Sequence, residues 1–481
     1  MGDQRKKSRL AGIGAALAGV AAVSAFPALF LYFRNADEAD FSEALPATLV
    51  FILAGLVLFS IVLLLVRKPA KAGLVTCLFM LVFSNYALIE SAVRGTFPAL
   101  RYWHIVPVLL VILLQASHVF CRKLPDEISG ILMTVIACVF CALIVVNGAV
   151  SAPTIAARAR SKQDTVQYTA NAEQPGDSMP NIYYLLFDEY SSDEFMLEYY
   201  DYDNSALTGR LEKRGFAVSR HSHNESTSTL TVTTNLMNLD YIVSDSTPAY
   251  EREQARKSGK LFGMLASSGY SLYSLTDIYG LPLIDDQGTK SQAVTASGET
   301  LGSILLKNTV LYPLTRIRQQ GIRSSVDSIK RFIREKKKNR FLMVHLNLPH
   351  QPFMYDRDGN ILRNVNSDWK DKKYYLDQFI YASKVMEELA DYILENDPDS
   401  IIFLQSDHSA RASTDPDLYG IVYKIEDMTN CFNCVYYRGE DLEIEGLSGV
   451  NTGRLVFGRL LGGTLPPVEV PVPEFDWKAE E

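Results

Sequence analysis

Apolar positions crowd the first 150 residues and thin out abruptly afterwards. Five runs, at about 10–33, 45–66, 72–93, 103–121 and 128–150, are long enough, or nearly so, to cross a hydrocarbon core that takes about 20 residues. One such run alone reads equally well as a buried core helix. Five in series predict an N-terminal five-helix transmembrane bundle over residues 1–150. The first run follows Arg5, Lys6, Lys7 and Arg9, as a cleaved signal peptide would, but it is longer than a signal core and reads as a retained anchor. Residues 151–180 are polar and short of large apolar side chains, which predicts a linker.

From residue 181 onward the pattern changes to short apolar runs alternating with amphipathic ones. Strands are predicted at 182–187, 216–218, 271–276, 341–348, 401–405 and 434–437, and helices at 205–214, 261–268, 325–337, 375–395 and 452–461. The longest helical segment places Leu376, Phe379, Ile380, Val385, Met386, Leu389 and Ile393 on one face. Alternating strands and helices predict an α/β domain over residues 181–465, with a mostly parallel central sheet covered on both sides and a short tail, 466–481. Ligands of such sheets bind beyond the carboxyl ends of the strands. Asp188 ends one apolar strand and Asp407-His408 ends another. Carboxylates and an imidazole at the mouths of buried strands are costly without partners, and a metal ion is the usual partner.

Charge sets orientation. Arg67, Lys68 and Lys71 follow the second apolar run, and Arg122 and Lys123 the fourth, while Asp37, Glu38, Asp40 and Glu43 follow the first. Arg94 and Arg101, after the third, point the other way. The balance puts the N-terminus in the cytoplasm, and an odd number of spans puts residues 151–481 outside. A net charge of −8 argues against a nucleic-acid partner. Cys431 and Cys434 fall in the exported part, where a local disulfide is the favoured reading over a free pair or a redox motif.

Two further segments bear on chemistry. Residues 221–231, His-Ser-His-Asn-Glu-Ser-Thr-Ser-Thr-Leu-Thr, form a hydroxyl-dense stretch. It reads as a turn or helix cap, or, beside a divalent cation, as the source of an acidified hydroxyl nucleophile. His350 lies in Leu-Pro-His-Gln-Pro, where prolines stop the preceding strand and hold the chain extended. It is a solvated loop residue, or a proton donor or substrate ligand. His345, inside the strand, reads as a satisfied core histidine.

The ordered set "PNIYYLLFDEY", the hydroxyl stretch leading into "NLMNLDY", "NLPHQPF" and "FLQSDHSAR" resembles the sulfatase-like branch of the alkaline phosphatase superfamily. With its apolar N-terminal half, the chain is similar to lipoteichoic acid synthases and to phosphoethanolamine and phosphoglycerol transferases of the cell envelope. The resemblance covers residues 178–465. It implies Asp188, Asp407 and His408 as metal ligands, and Thr229 as both nucleophile and fourth ligand, with Thr227 in reserve. It implies His350 at the transferred group or its leaving oxygen, and Arg411 as a phosphate contact. Two departures stand out. Ser409 occupies the place where the family has glycine, which is expected to crowd the site or alter the turn. The Cys/Ser-x-Pro-x-Arg run of formylglycine sulfatases is absent from the hydroxyl stretch.

The resemblance thus implies a multi-pass protein of the plasma (inner) membrane, with a metal-dependent extracytoplasmic phosphotransferase domain using zinc or manganese. Its donor would be a membrane lipid and its acceptor a cell-envelope glycan or polymer, through a phospho-threonine intermediate. Two alternatives use the same residues or none of them: a phosphoester or sulfate-ester hydrolase, and an inactive membrane-bound partner or sensor.

Overall fold

The computed structural model describes residues 2–36, 39, 41–97, 99–161, 179–276, 301–312, 322–366, 371–411 and 423–473. Most of the predicted linker (162–178) and the end of the tail (474–481) lie outside them. The chain divides into two compact units, one of residues 1–160 with 299–319, the other of 161–298 with 320–481.

The first unit contains α1 (Gly2–Arg34), α2 (Phe41–Val66), α3 (Pro69–Ser84), α4 (Tyr86–Thr96), α5 (Tyr102–Lys123) and α6 (Asp126–Ser161). Among the described residues four stretches, Gly12–Arg34, Ala44–Val66, Tyr102–Lys123 and Asp126–Arg160, are long and apolar enough to cross a membrane. The third predicted span is instead a broken pair: α3 and α4 meet at a 63° bend, and five spans result only if that pair is one. A break leaves backbone groups unsatisfied at both helix ends. Residues 308–310 supply the partners: Val310 N donates to Phe83 O and Ala87 N to Asn308 O, both at 3.2 Å. The short helix α12 (Leu301–Lys307) precedes them and buries Leu301 and Leu305 in the same core as Val20, Phe51 and Cys77.

The second unit is an α/β domain. In chain order it has β1 (Ile182–Phe187), α7 (Asp193–Tyr200), α8 (Ser205–Lys213), β2 (Ala217–Ser219), α9 (Thr229–Asn238), α10 (Ala249–Lys257), α11 (Lys260–Ser267) and β3 (Ser271–Thr276). There follow α13 (Ile322–Arg334), β4 (Arg340–Leu346), β5 (Phe353–Tyr355), β6 (Ile361–Asn366), α14 (Lys372–Asn396), β7 (Ile401–Ser406), α15 (Ile425–Met428), β8 (Asn433–Tyr437) and α16 (Gly449–Leu460). Six strands form one sheet in the order β2-β8-β7-β1-β4-β3. β7, β1, β4 and β3 are parallel, whereas β8 pairs antiparallel with both of its neighbours, β7 and β2. The sheet is therefore mixed, with its parallel part at the centre and along one side.

Strand β1, buried throughout, shows why an unbroken apolar run belongs at the centre of such a sheet. Tyr183, Leu185 and Phe187 face a core shared with Val326 and Ile329 of α13 and with Phe379, Val385 and Leu389 of α14. Ile182, Tyr184 and Leu186 face the opposite core, with Val232 and Leu236 of α9, Leu261 of α11 and Phe457 of α16. Covered on both faces, the sheet leaves its strand ends as the place where polar side chains gather.

The predicted cysteine pairing does not form: Cys431 and Cys434 are buried free thiols. Cys434 sits inside β8 and packs into the apolar core, while Cys431 precedes the strand and meets the Ser222 hydroxyl at 3.4 Å.

Candidate metal centre and nucleophile

Parallel pairing in register places Leu186 beside His345 and Gln405, and Phe187 beside Leu346 and Ser406. The next residues of β1 and β7 are Asp188 and Asp407, so both carboxylates emerge at the same edge. Asp188 N donates to Leu346 O at 2.9 Å, and Glu189 N donates to Asp407 Oδ1 at 3.0 Å. Glu189 adopts a left-handed backbone, φ 63°, a costly conformation for a non-glycine residue that recurs at functional turns.

Ligand atoms of Asp188, His345 and Asp407 lie within 4.8 Å of one another, and all three residues are buried. His345 Nε2 stands 3.2 Å from Asp188 Oδ2. Neither that nitrogen nor Asp188 Oδ1 has an aligned hydrogen-bond partner. A buried carboxylate oxygen left in that state costs about 1–3 kcal/mol or more. A cation among the three side chains would recover that cost, and an oxygen–oxygen–nitrogen donor set suits zinc or manganese. Burial alone would raise the Asp188 carboxyl, but His350, His345 and His408 outweigh it and hold it well below the usual carboxylate range. Burial likewise opposes charge on His345, yet Asp188 and Asp407 prevail and raise its pKa.

Thr229 is the first residue of α9, and its hydroxyl donates to Asp407 Oδ2 at 2.6 Å. Thr227 is buried two residues earlier. The hydroxyl-dense stretch is thus a loop that turns into a helix at Thr229. Asn224 fixes it by donating to the carbonyls of Ser406 and Asp407 at 3.3 and 2.7 Å.

His408 is fully buried, with Nε2 3.4 Å from Asp407 Oδ2 and Nδ1 2.8 Å from Ser409 O. The Arg411 guanidinium approaches the same Nε2 at 3.2 Å, while Arg411 N donates to Glu189 Oε1 at 3.1 Å. Ser409 does not crowd this turn. Its hydroxyl points away, donating to Asn430 O and accepting from Ser192 N at 3.4 Å, and its backbone is not left-handed.

His350 is half-buried. Its amide donates to Asp188 O at 3.2 Å and its Nδ1 lies 2.5 Å from Gln351 O. Both flanking prolines follow cis peptide bonds. Burial would lower its pKa, but the carboxylates of Asp188 and Glu189 raise it, which favours a protonated ring.

The structure thus brings Asp188, Asp407 and Thr229 together with His345 at the strand ends, holds His408 against Asp407 but outside the cluster of three ligand atoms, and hangs His350 and Arg411 beside them through Asp188 and Glu189. Sequence reasoning missed His345 and Glu189. His345 was legible in principle: with the strand ending at Leu346 rather than 348, the histidine falls at its mouth. Glu189 had no signal beyond its place next to Asp188.

A doubly covered α/β sheet thus carries carboxylates, imidazoles and a threonine hydroxyl at its strand ends, where Asp188, His345 and Asp407 could hold a metal ion. The sulfatase family model matches residues 180–439, and the chain belongs to that family. No curated protein matches it. Among solved structures, the C-terminal periplasmic domain of EcEptC from Escherichia coli shares 14% identity, covering 62% of this chain and 86% of that one at a TM-score of 0.41. The integral membrane protein lipooligosaccharide phosphoethanolamine transferase A (EptA) from Neisseria meningitidis shares 12%, covering 93% and 95% at 0.41. The lipoteichoic acid synthase LtaP from Listeria monocytogenes shares 13%, covering 64% and 78% at 0.38.

Proposed function

We propose that this protein is a membrane-anchored, extracytoplasmic phosphotransferase that moves a phospho-head group from a lipid donor to a cell-envelope glycan or polymer. The observation that carries the reading is the 2.6 Å hydrogen bond from Thr229 to Asp407, beside the buried Asp188, His345 and Asp407 cluster. Asp188, Asp407, His408 and Thr229, joined by His345, would hold a zinc or manganese ion. Such an ion, when bound, acidifies a hydroxyl and neutralises charge on phosphoryl oxygens.

The chain's own groups then divide the work. Thr229 Oγ1 forms the new bond to phosphorus as its proton passes to Asp407, which already accepts it. The bond from phosphorus to the lipid alcohol oxygen breaks, and His350, favoured in its protonated form, supplies that oxygen with a proton. Arg411 offers a planar guanidinium to two phosphoryl oxygens at once. Amides of the first turn of α9 add favourable dipoles for the anion. A glycan or polymer hydroxyl then attacks the phosphorus of the phospho-threonine and loses its proton to the now neutral His350, while the bond from phosphorus to Thr229 Oγ1 breaks and Asp407 returns its proton to that oxygen. Two in-line displacements retain configuration at phosphorus. A threonine in place of the formylglycine motif favours phosphoryl over sulfuryl chemistry, and the apolar N-terminal helices supply proximity to lipid.

Full-length protein given a head-group-labelled phospholipid, with and without glycan acceptor, tests the proposal. Transfer of label to the acceptor is expected. Head-group release without a transfer product would replace the proposal with hydrolysis. No turnover and no retained zinc or manganese would replace it with a binding role.

A further inference from the structure

A second polar site lies on the other side of the hydroxyl loop. Glu225 is 6% exposed and packed where α9 meets the chain at 241–247. Its Oε1 accepts from Asn235 Nδ2 at 2.7 Å, but its Oε2 has no hydrogen-bond partner. The residue lines a cavity of about 310 Å³ whose wall also includes Asp245, Tyr241, Ile242, Val243 and Val472. Neither Thr229 nor any residue of the metal cluster lines it.

The chemistry of this cavity selects among ligands. Among the described residues no lysine or arginine contributes to its lining, and two carboxylates do, which disfavours anions. Asp245 is satisfied, accepting from Ser226 at 2.7 and 2.8 Å and from Thr231 at 2.5 Å, with Arg252 at 3.8 Å. Glu225 is therefore the group with spare accepting capacity, and a buried carboxylate in that condition calls for a cation or a donor. A hard divalent ion wants six or more oxygens around it. Here the Ser226 and Thr231 hydroxyl oxygens already accept from Ser228 N and Arg252 Nη1, at 2.8 Å each, and Ile242, Val243, Pro471 and Val472 add apolar wall. An organic ammonium needs less: N–H groups for Glu225 Oε2 and neighbouring oxygens, and methylenes for Tyr241, Ile242 and Val243.

We propose that this cavity binds a primary alkylammonium group, with the Glu225 carboxylate as its counter-ion, as a site separate from the metal centre. The same chemistry is offered by the aminoethyl portion of a lipid head group and by an amino sugar. The proposal does not depend on the phosphotransfer reading, because its test reads binding alone.

The test is thermal unfolding of the full chain in detergent micelles at pH 8, with ethanolamine and glucosamine titrated against their neutral counterparts, ethylene glycol and glucose. A saturable rise of a few degrees is expected with at least one amine and with neither neutral compound. Ethanolamine alone would point to the head-group source and glucosamine to the sugar. The rise should vanish in Glu225→Gln, whose carbonyl still accepts from Asn235, and in Val243→Phe, which fills the half-buried wall and covers the case in which the first variant fails to fold. Equal shifts with the neutral compounds, no shift with either amine, or a shift that persists in both variants would overturn the proposal. So would a shift given by magnesium chloride and lost with Glu225.

Discussion

Thr229 and Asp407 lie 178 positions apart in the chain, yet the threonine hydroxyl donates to the aspartate at 2.6 Å. One opens a helix and the other closes a strand, so the contact exists only when α9 and the parallel strands are assembled together. A hydroxyl already bonded to a carboxylate has a defined proton path and a defined direction of attack.

Thr229→Ala is therefore expected to lower turnover by about three orders of magnitude or more and to abolish any acid-stable phospho-protein. Brief incubation with labelled phospholipid, followed by denaturing electrophoresis, reads the intermediate directly. Undiminished labelling would move the nucleophile elsewhere.

The two histidines of the 340–350 segment should separate by readout. His345→Gln is expected to weaken zinc or manganese retention at least about tenfold, because its Nε2 shares the pocket of Asp188. His350→Gln should keep the metal and lose about 10²- to 10⁴-fold in rate. Elemental analysis after dialysis, beside initial rates, distinguishes them; the reverse pattern would exchange their roles.

Stability should respond to Glu225. Burial pushes its carboxyl from an ordinary 4.5 up to about 7, so the folded state holds a proton that the unfolded state has lost. The contribution is fully present below about pH 4.5 and declines as pH rises, being gone above about 7. The difference approaches about 3 kcal/mol. Glu225→Gln should thus match the parent at pH 4.5 and melt higher at pH 8. Equal melting temperatures at both values would contradict the assignment.

Ser409 occupies a place where glycine was expected, and it has become part of the packing. Ser409→Gly removes its bonds to Asn430 O and Ser192 N and should cost about 1–3 kcal/mol of stability, with metal still retained. Thermal unfolding with metal analysis checks this; a gain in stability would mean that the hydroxyl is strained rather than structural.

Much of this architecture is legible in the sequence where a pattern has one physical solution. Residues 182–187 and 271–276 are strands with the predicted ends, because unbroken apolar runs of that length bounded by polar residues fit a covered parallel sheet. Direction is not legible in the same way: 434–437 reads as a strand, but nothing in its composition says that β8 runs against β7. Helix α9 was hidden by Thr229, Thr231, Thr233 and Thr234, poor helix formers in isolation. Packing of Val232 and Leu236 overrides that preference, and Thr233 and Thr234 fold their hydroxyls back onto the carbonyls of Thr229 and Leu230, at 2.6 Å each. His345 was obscured by a strand end placed two residues too late. The free thiols of Cys431 and Cys434 show that close spacing does not bring two sulfurs together when one is committed to a strand core.

The return of residues 299–319 to the N-terminal unit bears on how this protein can be cut. A soluble fragment starting near residue 178 would carry α12 without its neighbours, baring Leu301 and Leu305 to water. The helices left behind would lose the peptide that caps the bend between α3 and α4. Truncation at the polar stretch alone thus divides a shared hydrophobic core, and a well-behaved excised domain calls for replacing that excursion with a short hydrophilic bridge.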